Sequence, residues 1–279
     1  MIEKNYNLRK LSTIGLGGRC YEYSCPEDID ELKYILQNNN KKKLIIGNGS
    51  NICFVTEYYD GVIISLKKMR KSLHQDDNHI FVSSNVSCTK LARYAHSHKV
   101  SGYEFLYGIP GTIGGAIFMN AGAFNRETLE LVKSIQVINL DGNSKEIDIN
   151  DLPYQYRNSF LGKNNFIISA TFNKTSEKFK SNVLKDLNLT RKESQPTNKL
   201  SCGCIFKNPN GHFASKLIDD ANLKGKRFGG IYVSNKHANY FINDGSGTVD
   251  DFLLLLNYVK TTIKDKYSIQ LEEEVILVK

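Results

Sequence analysis

The stretch Gly108-Ile109-Pro110-Gly111-Thr112-Ile113-Gly114-Gly115-Ala116, continuing through Met119-Asn120-Ala121-Gly122-Ala123, decides the reading of this chain. Five glycines fall between positions 108 and 122. Each glycine costs a helix interior roughly 1 kcal/mol relative to alanine, so the pattern reads as neither helix nor strand. Ile109, Ile113, Ile117 and Phe118 are too apolar for a floppy linker. Small residues let a flat or elongated cofactor lie against the chain, and the amide groups can face a pyrophosphate.

A second glycine loop, Gly47-Asn48-Gly49-Ser50-Asn51, follows the apolar run Leu44-Ile45-Ile46. A strand that feeds such a loop presents backbone N–H groups to an anion. The loop departs from the G-x-x-x-x-G-K-[ST] pattern, and Ile52 stands where G-x-G-x-x-G needs its third glycine. An ordinary nucleoside triphosphatase and a Rossmann dehydrogenase are therefore disfavoured.

Outward from these loops, strands and helices alternate. Helical spacing marks Glu27 to Gln37, Thr89 to Lys99, a polar segment ending near Lys192, Phe213 to Ala221, and Val249 to Tyr267. Strands are expected at 44–46, 62–64, 80–82, 134–140, 166–172, 231–233, 240–242 and 269–278. The polar break at 174–198 separates the earlier part from the last.

The 279 residues are 41% hydrophobic and 24% charged, which is globular rather than disordered composition. The formal net charge is +8, but Lys and Arg are scattered, with short runs only at Lys41-Lys42-Lys43, Lys67-Lys68 and Arg70-Lys71. That distribution reads as a solvated basic surface whose field attracts polyanionic small molecules, with no nucleic-acid partner. Cys20, Cys25, Cys53, Cys88, Cys202 and Cys204 form no C-x-x-C motif and no zinc set, so reduced thiols and no metal are expected. No apolar signal region follows Met1, and no run approaches 18 apolar residues. A cytoplasmic protein without a membrane partner is the expectation.

Five motifs then occur in order: Gly47–Asn51, the 108–123 stretch, Tyr156-Arg157-Asn158-Ser159, Gly203-Cys204-Ile205-Phe206-Lys207-Asn208-Pro209, and Leu271 to Val275. In this order the chain resembles the UDP-N-acetylenolpyruvoylglucosamine reductase family, in a shorter form without the family's tyrosine-bearing loop. The resemblance implies an α+β chain: an FAD-binding two-subdomain fold of the vanillyl-alcohol-oxidase/PCMH type plus a C-terminal α+β substrate domain. Residues 1–66 would be the first FAD-binding subdomain and 67–190 the second, joined by a C-terminal strand at 269–279. Residues 191–268 would bind substrate.

The resemblance further implies that NADPH reduces FAD and that UDP-N-acetylglucosamine enolpyruvate becomes UDP-N-acetylmuramate. Gly47, Asn48, Gly49, Ser50, Asn51, Ile52, Pro110, Gly111, Thr112, Gly114, Gly115, Ala116, Asn120, Ala121, Gly122 and Arg227 would contact the cofactor. Tyr156, Lys207, Asn208 and Lys216 would contact a small UDP-sugar substrate, and the chain would act as a monomer. Hydride addition at C3 leaves charge at C2 and its carboxylate, which calls for preplaced cations and proton donors. Arg157 and Glu274 would steady that charge. The family's serine proton donor is Cys204 here, and a thiol, being a stronger acid than an alcohol, still donates. His237 has no step to perform and reads as structural. A related flavin oxidoreductase with another substrate, or a non-catalytic flavin or sugar-nucleotide binder, stays open.

Overall fold

A computed structural model describes residues 2–38, 40–162 and 164–279. The chain divides into two compact units: Met1–Lys4 with Glu22–Asn48 and Gly61–Thr190, and Asn5–Tyr21 with Gly49–Asp60 and Arg191–Lys279.

The first unit is centred on a five-stranded antiparallel sheet in the order 144–148, 132–139, 165–173, 79–83, 73–75. Ile135 sits opposite Ala170, and Ala170 opposite Val82. Register shifts at Val132/Ser134 and Gln136/Val137 re-phase the strand 132–139 against its central neighbour, so Ile135, Val137 and Ile138 are all buried despite strict alternation failing. Helices α1 (Ile29–Gln37), α2 (Cys88–Ser97) and α3 (Ile113–Phe118) belong to this unit. Asp28 caps α1 by accepting from the amides of Asp30 and Glu31. Leu91, Ala92 and Ala95 of α2 and Ile113, Ala116 and Ile117 of α3 enter the same core as Ile80, Val82 and Phe172. The strand Lys42–Ile46 runs parallel to 61–65, which delivers Gly47 at its carboxyl end.

α3 corrects the loop reading of 108–122, because it runs through Gly114 and Gly115. The glycine cost is offset by three buried apolar side chains and by the Thr112 cap. Gly114 has its own reason: a Cβ there would lie 2.9 Å from the Ser84 Cβ, so glycine permits close packing.

The chain leaves the first unit within α4 (Val183–Ser194). The second unit packs α5 (Ala214–Asp220) and α6 (Val249–Tyr267) with a three-stranded antiparallel sheet of 227–228, 231–233 and 241–243. Phe206, Phe241, Phe252, Leu255, Val259 and Val275 form its core. Thr248 and Asp251 close a capping box at the start of α6, and Ser268 ends the helix at φ +58°. The C-terminal strand is shorter than expected, Ile276–Val278, and runs parallel to Ile52–Phe54 instead of joining the sheet of residues 67–190. That pairing is why residues 49–60 belong with 191–279.

Candidate active site

In the first unit the two glycine segments meet. A Cβ on Gly47 would stand 2.5 Å from Thr112 Oγ1, so only glycine lets the loop approach this closely. Asn48 Nδ2 donates to the Pro110 carbonyl at 2.9 Å. Among the described residues no protein acceptor takes the backbone N–H groups of Gly47, Asn48, Gly111 or Thr112. Convergent, unspent amides are what a diphosphate requires. Gly115 is exposed, and a Cβ there would meet only Thr112 Oγ1 at 3.7 Å. These residues fit an FAD pyrophosphate. The start of α3 does not contribute its first amides, since Ile113 donates to the Val86 carbonyl and Gly114 to that of Ser84, both at 2.8 Å.

Arg157 stands at φ +59° with its guanidinium folded inward. It donates to Glu127 Oε1 at 3.2 Å, to the Gly122 carbonyl at 3.1 Å and to the Asn120 carbonyl at 3.4 Å. The cation also lies 4.5 Å from the centre of the Tyr156 ring. Asn120 is fully buried, and its amide hydrogens go to Glu127 Oε2 at 2.7 Å and the Gln155 carbonyl at 3.1 Å. Its side chain therefore braces Arg157 through Glu127. Ala121 and Gly122 follow as half-buried backbone, where a Cβ on Gly122 would strike the Arg126 carbonyl at 2.2 Å.

The second unit carries the rest of the Gly47–Asn51 loop. Gly49 adopts φ +65°, and a Cβ there would stand 1.9 Å from the Leu11 carbonyl oxygen. Asn51 Nδ2 donates to the Glu274 carbonyl at 3.1 Å, and the Ile276 amide returns to the Asn51 carbonyl at 3.0 Å. A Cβ on Gly203 would be 3.7 Å from the Ser50 carbonyl oxygen. Ile52 is buried in the parallel pairing with Ile276.

Residues 204–207 are held from both sides. On one side Ile205 donates to the Asn239 carbonyl, and the Asn239 side chain clamps the Phe206 backbone at 2.9 and 2.8 Å. On the other, Glu274 donates to the Ile205 carbonyl and Lys207 to that of Glu272. The tie sets Cys204 and Glu274 on adjoining backbone. Gly203 at φ +78° breaks the strand alternation, so Cys202 is sealed inside while Cys204 keeps partial exposure. Burial pushes the Cys202 thiol up to about 12.

Tyr240 pairs with Cys204 across an antiparallel bridge, which sets the phenol beside the thiol on one face of the pairing. Burial holds this tyrosine well above the usual phenol range; Cys204 and Glu274 reinforce the shift and Arg191 opposes it. The His237 ring stands edge-on to Tyr240 at 4.8 Å, with its own pKa lowered mainly by burial, which accords with a packing role.

The three glutamates separate by partner. Glu272 pairs loosely with Lys207 at 3.8 Å and Glu273 with Lys260 at 2.7 Å, while Glu274 is the one whose charge reaches Tyr240. Asn208 Oδ1 accepts from the Ala214 amide at 3.0 Å and steadies the start of α5. Lys216 is exposed and bridged to Asp220, and Arg227 is bridged to Asp244 and stacked 4.6 Å over Tyr232. Exposed pairs of this kind are weak, so either cation can exchange its partner for a phosphate. Glu127, Asn239 and Tyr240 had no signal in the sequence: each acts through a partner distant in the chain.

A family described as FAD binding domain matches residues 23–148, so the first class the chain falls into is that of FAD-binding proteins. The C-terminal domain of UDP-N-acetylenolpyruvoylglucosamine reductase matches residues 195–278. The reductase of Clostridium novyi is 34% identical across 99% of this chain and 92% of its own, and that of Chlamydia felis 36% identical across 97% and 92%. The crystal structure of the reductase from Thermus caldophilus superposes with a TM-score of 0.85 at 28% identity, covering 100% of this chain and 99% of its own. The chain belongs to the UDP-N-acetylenolpyruvoylglucosamine reductase family, an FAD-dependent oxidoreductase family.

Proposed function

We propose that this chain reduces UDP-N-acetylglucosamine enolpyruvate to UDP-N-acetylmuramate, a step of peptidoglycan precursor synthesis, with NADPH as reductant. The observation that carries the reading is the backbone tie that sets Cys204 beside Glu274.

FAD, when bound, supplies the hydride that adds to C3 of the enolpyruvyl group. Gly47, Asn48, Gly111 and Thr112 hold its pyrophosphate with backbone amides. Gly49, Ser50, Asn51, Ile52, Pro110, Gly114, Gly115, Ala116, Ala121 and Gly122 shape the surface around it. Arg157, permanently charged and planar, takes the substrate carboxylate, in exchange for its carbonyl partners. Glu274, in its protonated form, donates a hydrogen bond to the same carboxylate. Cys204 gives its Sγ proton to C2, and the electron pair of the breaking S–H bond stays on sulfur until solvent returns a proton. Tyr156, Lys207, Asn208 and Lys216 position the sugar nucleotide, and Arg227 borders the cofactor. The protein works as a cytoplasmic monomer, and residues 1–66 and 67–190 form the FAD-binding part with 191–268 as the substrate domain.

The test is a flavin spectrum of the purified protein followed by NADPH oxidation with and without the enolpyruvyl sugar nucleotide. Flavin bands and substrate-dependent oxidation are expected. Oxidation indifferent to the sugar nucleotide, or a protein that takes up no flavin, overturns the reading.

A further inference from the structure

Tyr240 enters none of the roles above, yet it lies directly across from the residue on which the protonation step depends. The Cys204–Tyr240 bridge fixes the two backbones face to face. The neighbouring residues lock that register, because Asn239 holds Phe206 by two side-chain hydrogen bonds and its carbonyl takes the Ile205 amide. The Tyr240 backbone is itself tied down at both ends: its amide donates to the His237 carbonyl at 3.0 Å, and its carbonyl accepts from Ser234 at 2.8 Å. His237 packs against the ring edge-on. The bridge and its locked register keep the phenol beside the Cys204 side chain, whose charge it feels.

We propose that Tyr240 is a positioning residue for Cys204, its hydroxyl aiming the sulfur and stabilising by hydrogen bonding the thiolate left when the thiol proton moves to C2. The inference rests on Cys204 being the proton donor. The bookkeeping is simple: the S–H bond breaks, a C–H bond forms, negative charge passes from the substrate to sulfur, and the tyrosine keeps its own proton throughout. Burial suits Tyr240 to this, since a phenol that stays neutral at every working pH can only donate to the anion. The charged and titratable groups facing the pair are Glu274, which when ionised opposes the thiolate, Arg191, which favours it, and His237, which burial disposes to neutrality. A hydrogen bond to a charged acceptor is roughly twice as strong as one to a neutral acceptor, so the bond tightens as the proton leaves.

The experiment compares the native enzyme, reconstituted with FAD, with Tyr240→Phe and Tyr240→Met. Two quantities are read: kcat as a function of pH, and the pH midpoint for alkylation of Cys204 followed by peptide mass. In both variants the midpoint should rise by about 1 pH unit, a shift of the size one specific hydrogen bond produces. kcat near neutral pH should fall about three- to tenfold as the acid weakens, while the KM for the sugar nucleotide stays within about twofold. The alkaline loss of activity should move up together with the alkylation midpoint. An unchanged midpoint and pH profile in a folded, flavin-loaded variant overturns the proposal. The alkylation reading needs no turnover, so a variant with impaired flavin uptake still decides the question. Cys204→Ala separates the two levels. If it keeps full turnover, the proton-donor reading fails; if it is inactive while Tyr240→Phe behaves as native, only the role of Tyr240 fails.

Discussion

The guanidinium of Arg157 is hydrogen-bonded to the carboxylate of Glu127 at 3.2 Å, and the same carboxylate holds Asn120 at 2.7 Å through its other oxygen. Arg157 and Glu127 have side-chain exposures of 14% and 23%, so water screens the pair only partly. The cation proposed to meet the substrate is therefore aimed before substrate arrives, by a residue that no motif contains.

Glu127→Ala removes this brace. Hydrogen bonds to charged groups contribute about 1.5–3 kcal/mol, so kcat/KM for the sugar nucleotide should fall about tenfold or more. Flavin content is the control, because the same carboxylate also holds Asn120 of the 108–123 segment. Steady-state kinetics with the flavin ratio measured in parallel checks this, and an unaltered kcat/KM would show that Arg157 orients itself.

Gly47→Ala places a methyl 2.5 Å from Thr112 Oγ1. Loop and cap must separate, and FAD affinity should weaken at least about tenfold, the equivalent of roughly 1.4 kcal/mol. Thr112→Ala added to Gly47→Ala removes the clashing atom and should restore part of the affinity, as read by flavin titration. A double variant no better than the single would place the defect elsewhere.

Cys204→Ser installs a much weaker acid in nearly the same space. Turnover should persist at a reduced rate, and the activity lost at alkaline pH through thiol ionisation should be retained, because a serine hydroxyl does not ionise in that range. Rate measurements from about pH 6 to about 10, a range that brackets ordinary thiol ionisation, follow the change. An identical alkaline limb in both proteins would remove Cys204 from the titration.

Asp244 is held down to about 2, first by the Ser246 hydroxyl and then by Arg227. Its unfolded value is near the ordinary ~3.9. The stabilisation is therefore fully present above about pH 4 and is lost as pH falls through about 2. Melting temperatures of the native chain and Asp244→Asn should converge at the acid end of that window and differ above it. Curves that stay parallel throughout would mean the group does not contribute.

The glycine loops, the strand before Gly47 and most helix boundaries were legible in the sequence, since each depends on local pattern, while Arg157, Cys204 and Glu274 were singled out there by motif order. α6 is the clearest case, where periodic leucines and a Thr248–Asp251 cap specify a helix without outside help. The tertiary structure decided what local pattern cannot hold. α3 is helical despite two glycines because distant Ser84 and Val86 carbonyls and the surrounding core supply its stability. The C-terminal strand chose Ile52–Phe54, more than two hundred residues earlier in the chain. The partners of Glu272, Glu273 and Glu274, namely Lys207, Lys260 and the surroundings of Tyr240, likewise became visible only in the tertiary structure. Such pairings depend on contacts far apart in sequence, whose cost in chain entropy is met only when the whole unit folds together.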